Sequence, residues 1–268
     1  MSPDTEVNAV DSSSESRQIE FEFIQFPGGE LHARLKRYPS YPKKIGSITF
    51  FSRIKSSDDI MRLLLMTDCV RRDSSLNDTL IKVIIPYLPY ARQDRVAVQG
   101  DAFSLKVFAD IINSQHYHSV EVWDVHSDVS LALIDNIINI PQYTLLSNLL
   151  AFYNIDPSQY TIVSPDSGAV KKAEKACQEL DAFDIIYAGK RRNPRTGEIT
   201  GTDIYTNRNF SSEKLLVVDD ICDGGRTFTE LGKVLRKIGC ASLDLYITHG
   251  IFSNGLEDLL NYYDNIYT

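Results

Sequence analysis

The sequence predicts an α/β protein of two domains, each built on a mainly parallel β-sheet flanked by helices. Short apolar runs rich in Val and Ile, such as KVII and KLLVV, alternate with segments whose apolar residues recur at helical spacing. The runs are apolar without interruption, as strands covered on both faces must be. Strands that alternate with helices imply parallel sheets with right-handed crossovers. The alternation starts again after Pro141, so the 268 residues are expected to hold two such sheets.

The elements follow one another in a regular order. The first half predicts strand, helix, strand, helix and strand over ITFFSRI, DDIMRLLLMTDCVRR, KVIIPYLP, DAFSLKVFADIINSQ and SVEVWDV. In the first helix, Ile60, Leu63, Leu64 and Val70 share one face. The second half predicts helix TLLSNLLAFY and then, in alternation, YTIVSPD, GAVKKAEKACQEL, DIIYAGK, a polar hairpin-like insert, KLLVVDD, RTFTELGKVLRKIG and SLDLYITHG.

The domain limits follow from composition and from this alternation. Residues 1–18 are rich in Ser, Asp and Glu, and are expected to form a disordered leader. We expect the first domain over residues 19–143 and the second over residues 144–268.

Composition excludes several classes of protein. No apolar run approaches the ~20 residues of a membrane span, and the N-terminus lacks the features of a signal peptide, so a cytoplasmic protein without a membrane partner is expected. A net charge of −8 argues against a nucleic-acid partner. The four cysteines are scattered and predict neither a disulfide framework nor a structural zinc site.

Ligands of such sheets bind at the carboxyl ends of strands, which makes five strand ends the candidate sites. In LLVVDDICDGGRT, Asp219 and Asp220 follow a strand and residues 223–227 turn into a helix. Carboxylates can accept hydrogen bonds from vicinal sugar hydroxyls, while glycines and a helix N-terminus let backbone N–H groups approach an anion. This combination indicates a ribose phosphate. The alternative is that the acids and glycines only cap the helix and turn the chain.

Two further strand ends carry acids. Asp166 lies in a Pro-Asp-Ser-Gly turn before a helix and can hold magnesium through water, although such a turn is often only structural. In VEVWDVHSD, Asp124 and His126 share one face of an extended segment, so both can point at one ligand or at a metal's water shell. A histidine at a strand end can equally be a structural group.

The remaining two strand ends carry cations. Residues 92–95, Arg-Gln-Asp-Arg, offer two guanidinium forks around an amide and an acid, a set that suits a nucleotide. Residues 190–192, Lys-Arg-Arg, begin a polar insert whose composition fits a mobile, positively charged flap. Solvated loops are the alternative for both.

Six motifs carry a resemblance to a known family. In order along the chain they are PYLPYARQDR, WDVHSD, VSPDSGAVKKA, GKRR, VVDDICDGGRT and YITHGIFS. Together they resemble the ribose-phosphate pyrophosphokinases, or phosphoribosyl diphosphate synthetases, from about Phe26 to the C-terminus. The resemblance implies two phosphoribosyltransferase-like (Rossmann-like) domains, the first for ATP and the second for ribose phosphate. It also implies transfer of the β,γ-diphosphate of Mg-ATP to the C1 hydroxyl of ribose 5-phosphate, with release of AMP.

The same resemblance implies roles for individual residues. ATP would be bound by Phe26, Glu30, Arg92, Gln93, Asp94 and Arg95. Magnesium would be organised, directly or through water, by Asp124, His126, Asp135 and Asp166. Catalysis would rest on Lys190, Arg192 and His126. The ribose phosphate would be bound by Asp219, Asp220, Asp223, Gly224, Gly225, Arg226 and Thr227.

The resemblance also bears on assembly. In the family, the residues matching Phe26 and Glu30 reach the adenine of a neighbouring subunit, so a homo-oligomer, dimer or hexamer, is expected. The N-terminal strand–helix unit and the closing strand and helix of most members are expected to be missing here. Hexamer formation and allosteric nucleotide regulation are therefore left open.

The chain departs from the family at two loops. The phosphate loop usually reads DTGGT or DTAGT, whereas Gly224 and Arg226 replace a threonine and a small residue here. A roomier and more positive loop suggests that the acceptor is a larger ribose phosphate, such as ADP-ribose in NAD salvage; ordinary ribose 5-phosphate with a solvated Arg226 is the favoured alternative. Gly28 stands where FSDGE of the family has an acid that contacts adenine.

Two other classes of protein compete with this interpretation. A non-catalytic regulatory homologue is the first, and the intact candidate catalytic residues speak against it. The second is a phosphoribosyltransferase, which shares the VVDDxxDxGxT pattern, but the RQDR and DVHS stretches in an additional domain favour the kinase.

Overall fold

The computed structural model describes residues 5–11, 16–36, 45–192, 199–205 and 210–268, with the backbone alone at strand residues 5, 11, 16, 190–192, 199 and 200. The chain divides into two units, Met1–Ile140 and Pro141–Thr268. The division falls three residues before the expected limit between 143 and 144. No helix among the described residues is long and apolar enough to cross a membrane.

The first unit is a six-stranded sheet with a separate two-stranded hairpin. Its strands are β1 Thr5–Asp11, β2 Ser16–Gln18, β3 Phe21–Gln25, β4 Leu31–Leu35, β5 Ile45–Ser52, β6 Leu80–Ile85, β7 Ser119–Trp123 and β8 Ile137–Ile140. Its α-helices are α1 Ser57–Arg72, α2 Ser104–Asn113 and α3 Val129–Leu133. The sheet has the order β2-β1-β5-β6-β7-β8, while β3 and β4 form the hairpin. From β5 to β8 every pairing is parallel, as predicted.

The expectation of a disordered leader is wrong for the described part of residues 1–18. β1 pairs antiparallel with β5, and β2 pairs with β1. Val7 and Ala9 alternate with polar residues and are each 2% exposed in the core, so the two apolar side chains on one face suffice to hold this strand. The average composition of residues 1–18 does not reveal an alternation that only Val7 and Ala9 carry.

Helix α1 begins and packs as its sequence predicts. The Ser56 side chain accepts from the Asp59 N–H while Asp59 reaches back to the Ser56 N–H, which is a capping box. Leu63 and Val70 are buried, as expected, and Met66 completes the buried stripe. α1 thereby packs its buried face into the core of the first unit.

The second unit is also a six-stranded sheet. Its strands are β9 Tyr160–Ser164, β10 Asp184–Arg192, β11 Ile199–Ile204, β12 Lys214–Cys222, β13 Ser242–Gly250 and β14 Asn265–Tyr267. Its α-helices are α4 Gln142–Phe152, α5 Val170–Glu179, α6 Arg226–Ile238 and α7 Glu257–Leu260. The order is β11-β10-β9-β12-β13-β14, and only β11 is antiparallel to its neighbour. The predicted hairpin-like insert is confirmed as β10 and β11.

Each face of this sheet has its own core. Leu215 and Val217 of β12 face α6 and its Leu231, while Leu216 and Val218 face α4 and α5. This double burial explains why LLVV is apolar without interruption, as predicted. It also means that the residues after Val218 continue on alternate faces.

Candidate active site

The two acids of VVDD lie inside a strand and not after it. β12 continues to Cys222, with Asp219 paired to Ile247 and Ile221 to His249 of β13. The sequence interpretation had the acids emerge from the end of strand LLVV at the sheet edge, whereas β12 runs on past both of them. Alternation places Asp219 on the face of Val217 and Asp220 on the face of Val218. The two carboxylates therefore start from opposite sides of β12, at its carboxyl end.

Asp220 is held by a cation from α5. The Lys172 ammonium lies 2.8 Å from Asp220 Oδ2, and the Asp220 side chain is only 9% exposed. The Asp220 N–H donates to Asp219 Oδ1 at 2.9 Å. Burial, followed by the negative charge of Asp220, raises the pKa of Asp219 well above its usual range, and Lys172 opposes that shift. Asp219 therefore keeps its proton more readily than an ordinary carboxyl, and a nearby cation or hydroxyl donor would favour its charged form.

The loop after β12 leaves the start of α6 open. Gly225 adopts φ +78°, the left-handed region that glycine favours, and α6 begins at Arg226 with Gly225 as its N-cap, a residue that has no side chain to accept from the first turn. The first N–H groups of a helix have no acceptor within it, and they carry the positive end of its dipole. The Ser253 hydroxyl donates to Asp223 Oδ1 at 2.8 Å and fixes the loop from the β13 side. This arrangement is suited to an anion.

Two residues of this loop differ from the usual family pattern, and the structure shows their surroundings. A Cβ at Gly224 would stand 3.0 Å from Asn254 Nδ2, and the same nitrogen donates to the Gly224 carbonyl at 3.1 Å. Arg226 is exposed, and within the described chain we find no hydrogen bond or ion pair for its guanidinium. Gly224 therefore makes room for Asn254, while Arg226 is available to a ligand or to solvent.

Asp166 lies at the same edge of the sheet. Its Oδ1 accepts the N–H groups of Gly168 at 2.9 Å and Ala169 at 3.2 Å, which holds the turn that leads into α5. The charge of Asp166 is one of those that raise the pKa of Asp219. The structure thus brings together Asp166, Lys172 and the two acids of β12.

The side chains of Lys190 and Arg192 lie outside the described residues. Their backbone belongs to the hairpin: the parallel pairing of β10 ends at Tyr187 opposite Ser164, and the strand then continues with Lys190 opposite Thr202 of β11. The hairpin therefore extends past the carboxyl end of β9, the end where Asp166 follows.

In the first unit, the RQDR segment is tied to the DVHSD segment through Asp94. Arg95 Nε and Nη2 donate to the two oxygens of Asp94 at 2.6 and 2.9 Å, and the Ser127 hydroxyl donates to Asp94 Oδ2 at 2.7 Å. The bonds from Arg95, and then that from Ser127, lower the pKa of Asp94 to about 2. Asp94 is therefore an anion at neutral pH and orients the Arg95 fork.

Asp124 and His126 do not share the face of an extended segment, so that expectation is wrong. β7 ends at Trp123, and Asp124 has φ +44° with its N–H donating to the Ile140 carbonyl at 2.7 Å. The turn buries Asp124, which is 2% exposed, and leaves His126 exposed. Alternation of side chains requires extended backbone, and the left-handed residue breaks it.

Asp135 lies at the opposite edge of the first sheet from Asp124. It precedes β8, and its N–H donates to Asn113 Oδ1 at the end of α2 at 2.9 Å. The parallel strand β7 lies between the two edges, a length of roughly 15 Å for five residues. α3 carries the chain back to the amino edge, so Asp135 stands apart from Asp124. Its assignment to another metal position stays a prediction. Among the described residues, no group of three or more His, Cys, Asp or Glu is arranged around a metal position.

The remaining predicted nucleotide residues occupy two places in the first unit. Phe26, 50% exposed, and Glu30 flank the turn of the β3–β4 hairpin, where the Phe26 N–H donates to the Glu30 carbonyl at 2.9 Å. A Cβ at Gly28 would collide with the Glu30 carboxylate. Arg92 and Gln93 are exposed in the segment that follows β6.

Two family models match the chain. The N-terminal domain of ribose phosphate pyrophosphokinase matches residues 8–115, and the phosphoribosyl transferase domain matches residues 136–263. The chain belongs to the ribose-phosphate pyrophosphokinase family. The first match begins inside β1, so this strand is part of the family's N-terminal domain.

Curated relatives and a solved structure agree with this family. The ribose-phosphate pyrophosphokinase of Ureaplasma parvum serovar 3 is 32% identical over 200 residues, 74% of this chain and 58% of the relative. That of Pyrococcus furiosus is 27% identical over 242 residues, 90% of this chain and 81% of the relative. The crystal structure of phosphoribosylpyrophosphate synthetase from Mycobacterium smegmatis superimposes with a TM-score of 0.71 at 21% identity, over 91% of this chain and 78% of that one.

The structural match confirms the predicted fold, two phosphoribosyltransferase-type α/β domains of the ribose-phosphate pyrophosphokinase family. The matched part of the chain spans only 58 to 62% of the length of the first curated relatives.

Sequence reasoning missed four polar residues that organise these family sites. Ser127 lies in the quoted DVHSD stretch, and Lys172 lies in VKKA, but neither was given a role. Ser253 and Asn254 follow THGIF, outside any loop with a phosphate signature. A search for polar residues one turn or one strand away from each motif would have included all four.

Proposed function

We propose that the chain transfers the β,γ-diphosphate of Mg-ATP to the C1 hydroxyl of ribose 5-phosphate, giving phosphoribosyl diphosphate and AMP. The observation that supports this proposal most is made at the carboxyl edge of the second sheet, in a chain of this family. There, two acids lie beside the start of helix α6, whose N-cap has no side chain. Hydroxyl acceptors next to free backbone donors match the two ends of a ribose phosphate. The proposal extends to this chain the activity named in its relatives.

The ribose phosphate would be held by its two polar ends. Its 5-phosphate would accept from the first N–H groups of α6 and from the loop 223–227, which Gly225 shapes and Ser253 fixes. Asp219 and Asp220 would accept from the ring hydroxyls. Lys172 holds Asp220 Oδ2 and would orient this carboxylate toward a hydroxyl.

ATP would bind on the first unit. The guanidinium of Arg95 donates two hydrogen bonds to Asp94 and has further N–H groups for a phosphate. Asp94, which also accepts from Ser127, sets the orientation of this guanidinium. Arg92 and Gln93 follow the same strand and would contact the nucleotide, while Phe26 and Glu30 offer an exposed ring and an acid for adenine. The family precedent for Phe26 and Glu30 is a pocket shared between subunits, so we include a homo-oligomer in the proposal.

Magnesium enters as part of the Mg-ATP substrate. Mg²⁺ keeps several waters and binds to one or two carboxylates together with substrate phosphates, so it does not need a cluster of three protein ligands. Asp124 and His126 of the first unit would contact magnesium directly or through water, and Asp166 of the second unit would do so at its own strand end. The ion neutralises charge on the phosphoryl oxygens when bound.

The transfer itself is a substitution at the β-phosphorus. The C1 oxygen forms a bond to this phosphorus, its proton is released, and the bond to the oxygen shared with the α-phosphorus breaks so that AMP leaves. Lys190 and Arg192 would stabilise the charge that spreads over the phosphoryl oxygens, from a hairpin that extends past β9. Closure of this hairpin would exclude competing water.

A second acceptor, ADP-ribose, is favoured by one specific observation. Gly224 and Arg226 leave the phosphate loop with an exposed guanidinium that has no partner in the described chain. The 5-position of ADP-ribose carries two phosphates, so a second anion would lie beside the first at this loop. The chemistry at C1 would be unchanged.

The proposal is tested by incubating the full chain with Mg-ATP and either ribose 5-phosphate or ADP-ribose, with a sample lacking acceptor. AMP is measured by chromatography and the new diphosphate by phosphorus NMR. AMP that depends on ribose 5-phosphate supports the main proposal, and AMP that depends on ADP-ribose alone supports the second. AMP with neither acceptor rejects both and favours a regulatory homologue; consumption of phosphoribosyl diphosphate with a base indicates a transferase instead.

A further inference from the structure

We infer that Lys172 is a positioning residue for the acceptor sugar, acting through Asp220; this inference rests on the proposed function. Lys172 belongs to α5, in the first turn after the Asp166 loop, and its ammonium lies 2.8 Å from Asp220 Oδ2 on β12. The side chains are 27% and 9% exposed. The pair therefore joins two elements that both end at the candidate site.

The Lys172 pair differs from the other ion pairs of the same helix. Lys175 and Glu179 are 2.6 Å apart, but their side chains are 49% and 39% exposed and four residues apart on one helix. Such surface pairs contribute little to stability. Asp220, in contrast, is a buried carboxylate, and a buried charge without a cation is strongly unfavourable. Lys172 thus pairs with a buried carboxylate, whereas Lys175 pairs with an exposed one.

The contact also sets geometry at the sheet edge. Asp220 lies on the α5 face of β12, and its neighbour Asp219 lies on the α6 face. The Asp220 N–H donates to Asp219 Oδ1, so a shift of Asp220 is passed to Asp219. Lys172 fixes one oxygen of this pair and fixes the spacing between β12 and the Asp166 turn. It would therefore govern how the ring hydroxyls are bound, without touching them.

Loss of the Lys172 ammonium is expected to affect the acceptor and not ATP. Residues for ATP follow β6 and β7 in the first unit, whereas Lys172 and Asp220 both belong to the second unit. Loss of the ammonium should weaken the transfer through the acceptor and leave the KM for ATP nearly unchanged. A residue that only stabilised the fold would lower the active fraction and change no KM.

The test compares Lys172→Met, which keeps the aliphatic stem, with Lys172→Arg, which keeps the charge, and with Lys175→Met as the control on the same helix. Lys172→Met is expected to lower kcat/KM for the acceptor by roughly 10- to 100-fold, the value of one charged hydrogen bond. Lys172→Arg should recover most of this loss, and Lys175→Met should behave as the wild type. Unchanged acceptor kinetics in Lys172→Met, or an equal loss for ATP, overturns the inference.

A second variant covers the case in which Lys172→Met does not fold. Asp220→Asn removes the negative charge that pairs with Lys172 and keeps the shape of the side chain. If Lys172 acts through Asp220, adding Lys172→Met to Asp220→Asn should cost far less than in the wild-type background. Fully additive losses overturn the inference.

The proposed function and this inference fail in different ways. A wild type that releases no AMP, and whose thermal unfolding is not shifted by ribose 5-phosphate or ADP-ribose, overturns the proposed function and this inference with it. An active wild type with an unaffected Lys172→Met variant overturns this inference alone.

Discussion

Gly224 and Asn254 are in close contact: Asn254 Nδ2 donates to the Gly224 carbonyl at 3.1 Å and would lie 3.0 Å from a Cβ at that residue, so a side chain there requires the amide to shift. The family usually carries a threonine at the position of Gly224. The loss of the threonine side chain at Gly224 is therefore accompanied by a contact from the Asn254 amide. Loop 223–227 is bound from the β13 side by Ser253 and Asn254.

Gly224→Thr is expected to displace the Asn254 amide. The backbone accepts a side chain there, since Gly224 is not among the glycines with positive φ. The lost hydrogen bond should lower the free energy of unfolding by about 1 kcal/mol and raise the KM for the acceptor. In the background of Asn254→Ala, the same substitution should cost less, which a double-mutant cycle by urea unfolding and acceptor kinetics measures. Additive costs would contradict the coupling.

Arg226→Ala distinguishes the two candidate acceptors. If the guanidinium binds the second phosphate of ADP-ribose, its removal should raise the KM for ADP-ribose by roughly 10- to 100-fold. The KM for ribose 5-phosphate, whose single phosphate lies on the N–H groups of α6, should not change. An equal change for both acceptors would mean that Arg226 serves the first phosphate, and no change for either would leave it a surface residue.

Asp94→Asn is expected to reduce thermal stability in a pH-dependent way. The pKa of Asp94 is lowered to about 2 in the folded chain, below its value of about 3.9 in an unfolded chain, so its stabilising effect is full above about pH 4 and is lost as the pH falls through 2. The difference in denaturation temperature between wild type and variant should therefore shrink between pH 5 and pH 2.

Asp68→Asn is the matched control, because Asp68 pairs with Arg72 on the surface with its side chain 56% exposed. Its denaturation temperature should follow the wild type closely at every pH. A difference for Asp94→Asn that does not depend on pH would contradict the assigned ionisation.

Lys190→Ala and Arg192→Ala test the proposed catalytic hairpin. Loss of one charge-stabilising donor should lower turnover on the order of 10²–10³-fold. Binding of ATP, measured by calorimetry in the absence of acceptor, should change much less, because these cations are proposed to act in the transition state. Near-normal turnover in either variant would remove that residue from the mechanism.

Much of the fold could be predicted from sequence because periodicity encodes it directly. The uninterrupted apolar run LLVV predicts a strand covered on both faces, and β12 is buried on both. The helical spacing of Leu63 and Val70 predicts one buried face of α1, and both residues lie in the core. β1 was missed because its only core residues, Val7 and Ala9, stand in a polar segment. The path of β12 through Asp219 and Asp220 was missed because hydrogen bonding to β13 overrides the low strand propensity of aspartate.

The candidate site was predictable where a motif and a strand end coincide, and not where tertiary contacts decide. Asp166, Asp219 and loop 223–227 lie at one edge, as strand order requires. Asp124 and His126 do not share a face because Asp124 itself has a left-handed backbone, which no local sequence pattern predicts. The partners Ser127, Lys172 and Asn254 come from other elements and are visible only once the chain is folded.

The central claim is that a diphosphate, and not a single phosphate, is transferred. It is tested most directly by supplying the full chain with magnesium, ribose 5-phosphate or ADP-ribose, and ATP labelled separately at the β- or the γ-phosphorus. Each label is expected on the diphosphate at the C1 oxygen of the acceptor, in an amount equal to that of the unlabelled AMP released. Transfer of the γ-label alone, with ADP as the second product, would contradict it.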